Sequence, residues 1–330
     1  MLRFKLNSAK KTIFFVFISF VVSTTIFFIT MASLPDYVYE QHKEFYSQTL
    51  PGDKIFIFGS SQTYAINPIT VSDYLNREGY DHTVYHLGQG SFDAEERLRT
   101  VDLVVSQKPE IVLYGIAYQT FYSHGRNIAE KPTDSFVSPP RITDLLSSIQ
   151  LPLNTGLIDN PKFATMNTFN HLTQNLSGNF EEEPIRPYPN TPFFVMETNA
   201  SIPANEKDLR VGGQLASFKG KEIYPIDNNR TFAALKELIH NLNDNEIEVV
   251  IFTTPHLKNW LAQVPIDQKE IFESMLDDLE KEFNFKVFRL HDKYDTLDIW
   301  VNHDHLISHD KKMDFYSEEI AKMLLTRIDE

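Results

Sequence analysis

The sequence has no cysteine. Disulfides, thiolate nucleophiles and Cys-ligated zinc are therefore excluded, although the compartment is not decided by this alone. Positive charge is scarce, with 31 Lys and Arg against 45 Asp and Glu and a formal net charge of −14. Arg3, Lys5, Lys10 and Lys11 fall in the first eleven residues, which hold no acid, so the acidic excess lies in the remainder of the chain. A surface of that sign repels phosphate backbones and makes nucleic acid an unsuitable partner. There is no GxGxxG and no Walker A sequence, so a nucleotide or dinucleotide cofactor has no support. A GxSxG elbow is also missing, because Thr63 stands where its second glycine would be.

The N-terminal region is different in kind. Thr12–Ala32 is a 21-residue run without charge, rich in Phe, Ile and Val. As a helix it spans the roughly 30 Å of a bilayer core. Residues 1–11 before it are basic, and Asp36 and Glu40 come after it. This places 1–11 as a cytoplasmic tail, 12–32 as a single transmembrane anchor, and the rest outside the cell membrane. A cleaved signal peptide ending near Thr30-Met31-Ala32 is the rival reading, but its apolar region would be about 7–15 residues. The triplets at Asn175, Asn199 and Asn229 are potential glycan acceptors on an extracytoplasmic glycoprotein.

After a connector over 33–50, closed by Pro51-Gly52, the run Lys54–Phe58 stops at Gly59-Ser60-Ser61. A short apolar run ended by glycine reads as a buried parallel strand. Thr83–Gly88 and Glu110–Gly115 repeat the pattern, with helices expected around Thr70–Glu78 and Ala94–Gln107. Further strands are expected near 246–255 and at Lys286–Leu290, and helices at Arg230–Asn241, Gln268–Phe283 and Phe315–Ile328. The rhythm is lost over about 124–229, where prolines cluster and only short helices are expected, at Thr143–Ile149 and Ala164–Thr173. The expectation is one α/β domain over 51–330, a five-stranded parallel sheet interrupted by a large insertion across its carboxyl edge.

Ser61 then sits at the carboxyl end of the first strand, where open α/β sheets bind ligands. Ser60 or Ser61 as a plain helix cap is the bland alternative. Between the last strand and last helix lies Asn302-His303-Asp304-His305-Leu306. A serine attacks a carbonyl usefully only if a base takes its proton, and histidine is the usual base near neutrality. Ser61 and His305 meet if the first strand end and the last loop share one edge. A metal site at His303 and His305 is the competing chemistry, but no third ligand stands at helical spacing.

Gly59-Ser60-Ser61, Gly88-Gln89-Gly90-Ser91, Gly115 and the Asn302–Leu306 segment together resemble the SGNH/GDSL hydrolase superfamily. The Gly-Ser-Ser form is similar to that of its membrane-anchored acyl-transfer branch. The resemblance covers about 51–123 and 230–330 and implies a flavodoxin-like three-layer fold. It makes Ser61 the nucleophile, His305 the base, and Ser61 and Gly90 the backbone donors to the oxyanion, with Gly88 or Ser91 as alternatives to Gly90. Asn302 replaces the family's aspartate, so Asn302 or Asp304 orients His305, and Ala117 replaces an oxyanion asparagine. No cofactor and no metal are implied. The expected function is a membrane-anchored, extracytoplasmic serine esterase or O-acyltransferase acting on acylated cell-surface glycans or polymers. A transferase implies a membrane acyltransferase partner that delivers the acyl donor. The alternative is a catalytically silent domain that binds glycan or a partner protein.

Overall fold

The structure, a computed structural model, describes residues 15–20, 22–23, 37–90, 92–122, 188, 190–193, 222–302, 304–308 and 311–328. The chain divides into two compact units. One comprises Met1–Gln41 and Thr133–Gly178, and of it residues 15–20, 22–23 and 37–41 are described, all as helical. Most of the expected 12–32 anchor and both short helices expected in the insertion lie outside the described residues. Among the described residues no helix is long and apolar enough to cross a membrane.

The other unit, His42–Pro132 with Asn179–Glu330, is built on a parallel sheet. Its elements are helix α1 (Tyr37–Tyr46, from His42 onward), β1 (Asp53–Phe58), α2 (Pro68–Arg77), β2 (His82–His86), α3 (Ala94–Arg99), α4 (Val101–Ser106) and β3 (Ile111–Ile116). They are followed by α5 (Arg230–Asn243), β4 (Glu248–Thr253), α6 (Lys258–Leu261), α7 (Ile266–Phe283) and α8 (Asp314–Ile328). The strand order is β2-β1-β3-β4, every pair parallel. The central strand β3 is buried along its whole length, and β1 over its last four residues. Unbroken apolar runs are what a sheet covered on both faces requires.

The chain leaves β1 in one direction to form β2, then returns past β1 to form β3. Right-handed crossovers in opposite directions put their helices on opposite faces. Accordingly, α2 packs on β2 and α8, while α3 and α4 pack on α5. The reversal leaves a crevice at the carboxyl ends of β1 and β3, the switch point at which open α/β sheets hold ligands.

Among the described residues the sheet has four strands. The expected fifth segment makes a single parallel bridge, Phe252 with Phe288, through Phe288 N–H to Ile251 O and Thr253 N–H to Phe288 O, each 2.9 Å. The ladder stops there because the Thr253 hydroxyl accepts the next amides, Leu290 N–H at 2.7 Å and His291 N–H at 3.0 Å. Ala94–Gln107, expected as one helix, breaks at Thr100 into α3 and α4.

Helix starts are set by side chains that satisfy otherwise unpaired amides. Asn67 Oδ1 accepts Ile69 N–H at 3.0 Å ahead of Pro68 in α2, and Asp93 Oδ1 accepts Glu95 N–H at 2.9 Å in α3. Asn229 starts α5, accepting Phe232 N–H at 2.9 Å while its amide donates to Phe121 O at 2.9 Å. Asn229 is buried, so its acceptor triplet is used inside the fold as a cap. Asn175 and Asn199 lie outside the described residues.

Candidate active site

The turn that carries Ser61 is fixed by glycines around one threonine. Gly59 has φ +141°, and a Cβ there would lie 2.4 Å from Thr63 Cγ2. At Gly115 a Cβ would come within 2.5 Å of the same methyl and 2.7 Å of Phe252 Cζ. At Gly88 it would meet His86 Cε1 at 2.5 Å and Thr63 Oγ1 at 2.6 Å. The three glycines that mark strand ends in the sequence therefore share one neighbour: Thr63, fully buried, fills the space among them. Its hydroxyl donates to Ser60 O at 2.8 Å, closing the 3₁₀ turn Ser61–Thr63. His86 Nε2–H donates to Thr63 O at 2.8 Å, and His86 Nδ1 accepts Gly88 N–H at 3.2 Å. Both ring nitrogens are thus used by a neutral imidazole, and burial holds the His86 pKa down at about 4.

The cap reading of this turn does not hold for Ser61. Ser60 occupies the cap position of the 3₁₀ turn without a side-chain cap bond, and Asn67 caps the helix after it. The Ser60 hydroxyl donates instead to Gln62 Oε1.

Ser61 Oγ lies 2.7 Å from His305 Nε2. His305 is carried by a tight excursion closed by the antiparallel bridge Trp300–Leu306 and by Val301 N–H to His305 O at 2.9 Å. Within it Asn302 Oδ1 accepts Asp304 N–H at 3.0 Å and His305 N–H at 2.9 Å. His305 Nδ1 faces two oxygens, Asp304 Oδ1 at 2.8 Å and Asn302 Oδ1 at 3.0 Å. Two acceptors at Nδ1 fix the proton there and leave Nε2 to accept from the serine hydroxyl. Asn302 and Asp304 thus share the work of orienting His305. Asp304 brings the charge, and Asn302 holds the turn.

Asp304 is buried, and its second oxygen accepts Gln119 Nε2–H at 3.1 Å and Gln62 Nε2–H at 3.3 Å. Three donors, His305 Nδ1–H, Gln119 and Gln62, thus converge on this buried carboxyl group, which burial requires to be hydrogen-bonded. Gln119 lies just after β3, and its Oε1 is 2.9 Å from His256 Nε2, just beyond β4. Gln62, Gln119 and His256 carry no motif that singles them out in the sequence. The one signal they give is that of polar residues directly after strand ends, at the edge where such sheets place their chemistry.

The segment expected to serve the oxyanion has its amides engaged. Gly90 N–H donates to Tyr64 Oη at 2.7 Å, Gln89 N–H to Gly59 O at 3.1 Å, and Gly88 N–H to His86. Ser91 lies outside the described residues. Ala117, where a side-chain donor is missing, gives its N–H to Thr120 Oγ1 at 2.9 Å. Among the described residues no three His, Asp or Glu side chains are grouped to hold a metal ion, and His303 lies outside them.

Ser61 opens on a cleft of about 410 Å³ whose lining includes Phe92, Glu96, Tyr114, Tyr122 and Arg230. Burial, and next a hydrogen bond with Asp93, push the Glu96 carboxyl above the usual range. Arg230 pairs with Glu95 at 2.8 Å. The cleft thus presents aromatic faces beside carboxyl groups and one guanidinium. A scan against family models and a search of curated proteins find no match for this chain.

Proposed function

We propose that this chain is a serine-dependent ester hydrolase or O-acyltransferase of the SGNH/GDSL type. In this reading it is anchored in the cell membrane by residues 12–32 and acts outside it on acyl esters of surface glycans or polymers. One observation carries the reading: Ser61 Oγ is 2.7 Å from His305 Nε2 while Asp304 Oδ1 is 2.8 Å from His305 Nδ1. That is the arrangement in which an imidazole removes a serine proton, and it is recognised by geometry and roles. The strand order matches the first four positions of the flavodoxin-like order 2-1-3-4-5.

In the first half-reaction Ser61 Oγ bonds to the acyl carbon as its proton passes to His305 Nε2. The carbonyl electrons move onto oxygen, where the Ser61 N–H donates to the oxyanion, joined by Gly90 N–H once the Tyr64 hydroxyl yields it. Collapse breaks the bond to the leaving alcohol, which takes the proton from His305. In the second half, water or a glycan hydroxyl gives its proton to His305 and attacks the acyl-serine, and collapse breaks the bond to Ser61 Oγ, which takes that proton back from His305 Nε2. Water makes the chain an esterase, and a hydroxyl acceptor makes it a transferase served by a membrane acyltransferase.

The bond from Gly90 N–H to Tyr64, with Ala117 lacking a donor side chain, favours a second reading, a silent domain that binds glycan or a partner protein. Covalent labelling of the full chain with a fluorophosphonate separates the two. The esterase reading expects labelling that disappears in Ser61→Ala. Labelling retained in that variant, or none in the unmodified chain, would sink it.

A further inference from the structure

Behind Asp304 stands a second histidine that the serine chemistry does not touch. His256 is fully buried. Its Nδ1 is 2.9 Å from Thr254 O and its Nε2 is 2.9 Å from Gln119 Oε1. A backbone carbonyl and an amide oxygen are both acceptors, so a proton is needed on each ring nitrogen.

Reversing the Gln119 amide would let a neutral His256 accept from it, but would turn the amide oxygen toward Asp304 Oδ2. The missing proton would then have to sit on Asp304. Gln62 argues against that arrangement. The Ser60 hydroxyl donates to Gln62 Oε1, which turns Gln62 Nε2 toward the same Oδ2, so that oxygen already accepts. A protonated Asp304 would also withdraw the anion from His305 Nδ1.

The surroundings of His256 suit a cation. Its ring stacks on Trp260 with centroids 4.6 Å apart and planes at 20°. A cation over an indole face is favourable, more so when desolvated. Tyr118 meets the ring edge-on at 5.5 Å, and burial raises its phenol pKa, so it stays uncharged. His291 accepts His256 N–H through its backbone carbonyl, its pKa is lowered by burial, and its ring faces Glu273 at 3.3 Å. Lys258, at the start of α6, is exposed. The negative group facing His256 through Gln119 is Asp304.

We propose that His256 is a positioning residue, an imidazolium that locks the Gln119 amide so that it donates to Asp304 and keeps Asp304 the ionised partner of His305. The inference deepens the serine reading and rests on it for its catalytic consequence. The charge of His256 is a separate, directly measurable fact.

The test uses the full chain in detergent with ¹⁵N-labelled histidine and long-range ¹H–¹⁵N correlation at neutral pH, the His256 signals being assigned by their loss in His256→Asn. The expected result is a proton on both His256 ring nitrogens. One bare nitrogen would overturn the proposal. In Gln119→Leu the doubly protonated signature is expected to disappear, and in Gln119→Glu, which keeps an acceptor, to be restored. Its persistence in Gln119→Leu would overturn the part given to the amide. Fluorophosphonate labelling of Gln119→Leu is expected to slow by about 10²-fold, the scale of a misplaced catalytic group. An intact imidazolium signature with no labelling of the unmodified chain would instead remove the serine reading and leave the charge of His256 in place.

Discussion

Ser61 Oγ and His305 Nε2 are 2.7 Å apart in space and 244 residues apart in sequence. The serine is placed by the glycine-flanked turn after β1. The histidine is placed by the Asn302 turn, which presents two oxygens to its other nitrogen. The two halves of the pair are thus held by different local structures, joined by the bond from Gln62 Nε2–H in the serine turn to Asp304 Oδ2 at 3.3 Å.

The partners of His305 Nδ1 are therefore expected to differ in weight. Asp304→Asn removes the charge and permits the wrong tautomer, so labelling of Ser61 is expected to fall by about 10⁴-fold. Asn302→Ala loosens the turn but leaves the anion, and is expected to cost about 10²-fold. Parallel labelling rates of the two variants measure this, and equal losses would contradict the division of roles.

Tyr64→Phe deletes the oxygen that accepts Gly90 N–H and leaves the amide open to the cleft. If Gly90 serves the oxyanion, this variant is expected to label faster than the unmodified chain, by up to about 10²-fold, the worth of one such donor. An unchanged or slower rate would take Gly90 out of the site.

The packing around Thr63 predicts a specific pattern of rescue. Gly115→Ala is expected to destabilise by about 1–3 kcal/mol through overpacking. Thr63→Ser removes the methyl 2.5 Å from the new Cβ and is expected to recover part of that loss, Phe252 retaining the rest. The same serine is expected to recover less of the loss in Gly59→Ala, because φ +141° strains any side chain there whatever the space. Denaturant midpoints of the single and double variants give the coupling directly.

These positions also show what the sequence made legible. The strand-ending glycines, the order of strands and helices, and the candidates Ser61 and His305 could all be read because each has a local signature. The segment over Lys286–Leu290 carries a genuine apolar run and one parallel bridge, but its pairing ends on the Thr253 hydroxyl, which no periodicity reports. Gln119 and His256 were illegible for another reason. They meet because β3 and β4 are neighbours in the sheet, and adjacency is a property of topology, not of either segment. Asn302 and Asp304 could not be ranked, since only the turn shows that positions three and one before His305 both reach Nδ1.

His86 gives the fold an acid limit. Its pKa is lowered to about 4 from the usual 6.5, so the native state resists protonation and the unfolded chain accepts it. The His86 contribution is thus fully present above about pH 6.5 and is lost as pH falls toward 4, reaching about 3 kcal/mol. Protonation at Nδ1 would eject Gly88 N–H and disturb the turn holding Thr63. Urea unfolding from pH 7 to pH 4 is expected to show this loss, and His86→Gln to show a shallower slope over the same range.

The seat of α2 carries a consequence for biosynthesis. Its cap residue Asn67 gives its backbone N–H to Ser317 of α8 at 2.9 Å, a partner 250 positions later. Ser61 precedes that cap by six residues, and its histidine precedes Ser317 by twelve. While the chain is still being made, the serine therefore exists for most of that time beside an unfinished helix seat and without a base. A ribosome must have passed residue 305 before the base exists, and residue 317 before the helix seat can be completed. Any hydrolytic power of the finished site is withheld from the nascent chain by chain order alone, with no inhibitor or pro-segment required.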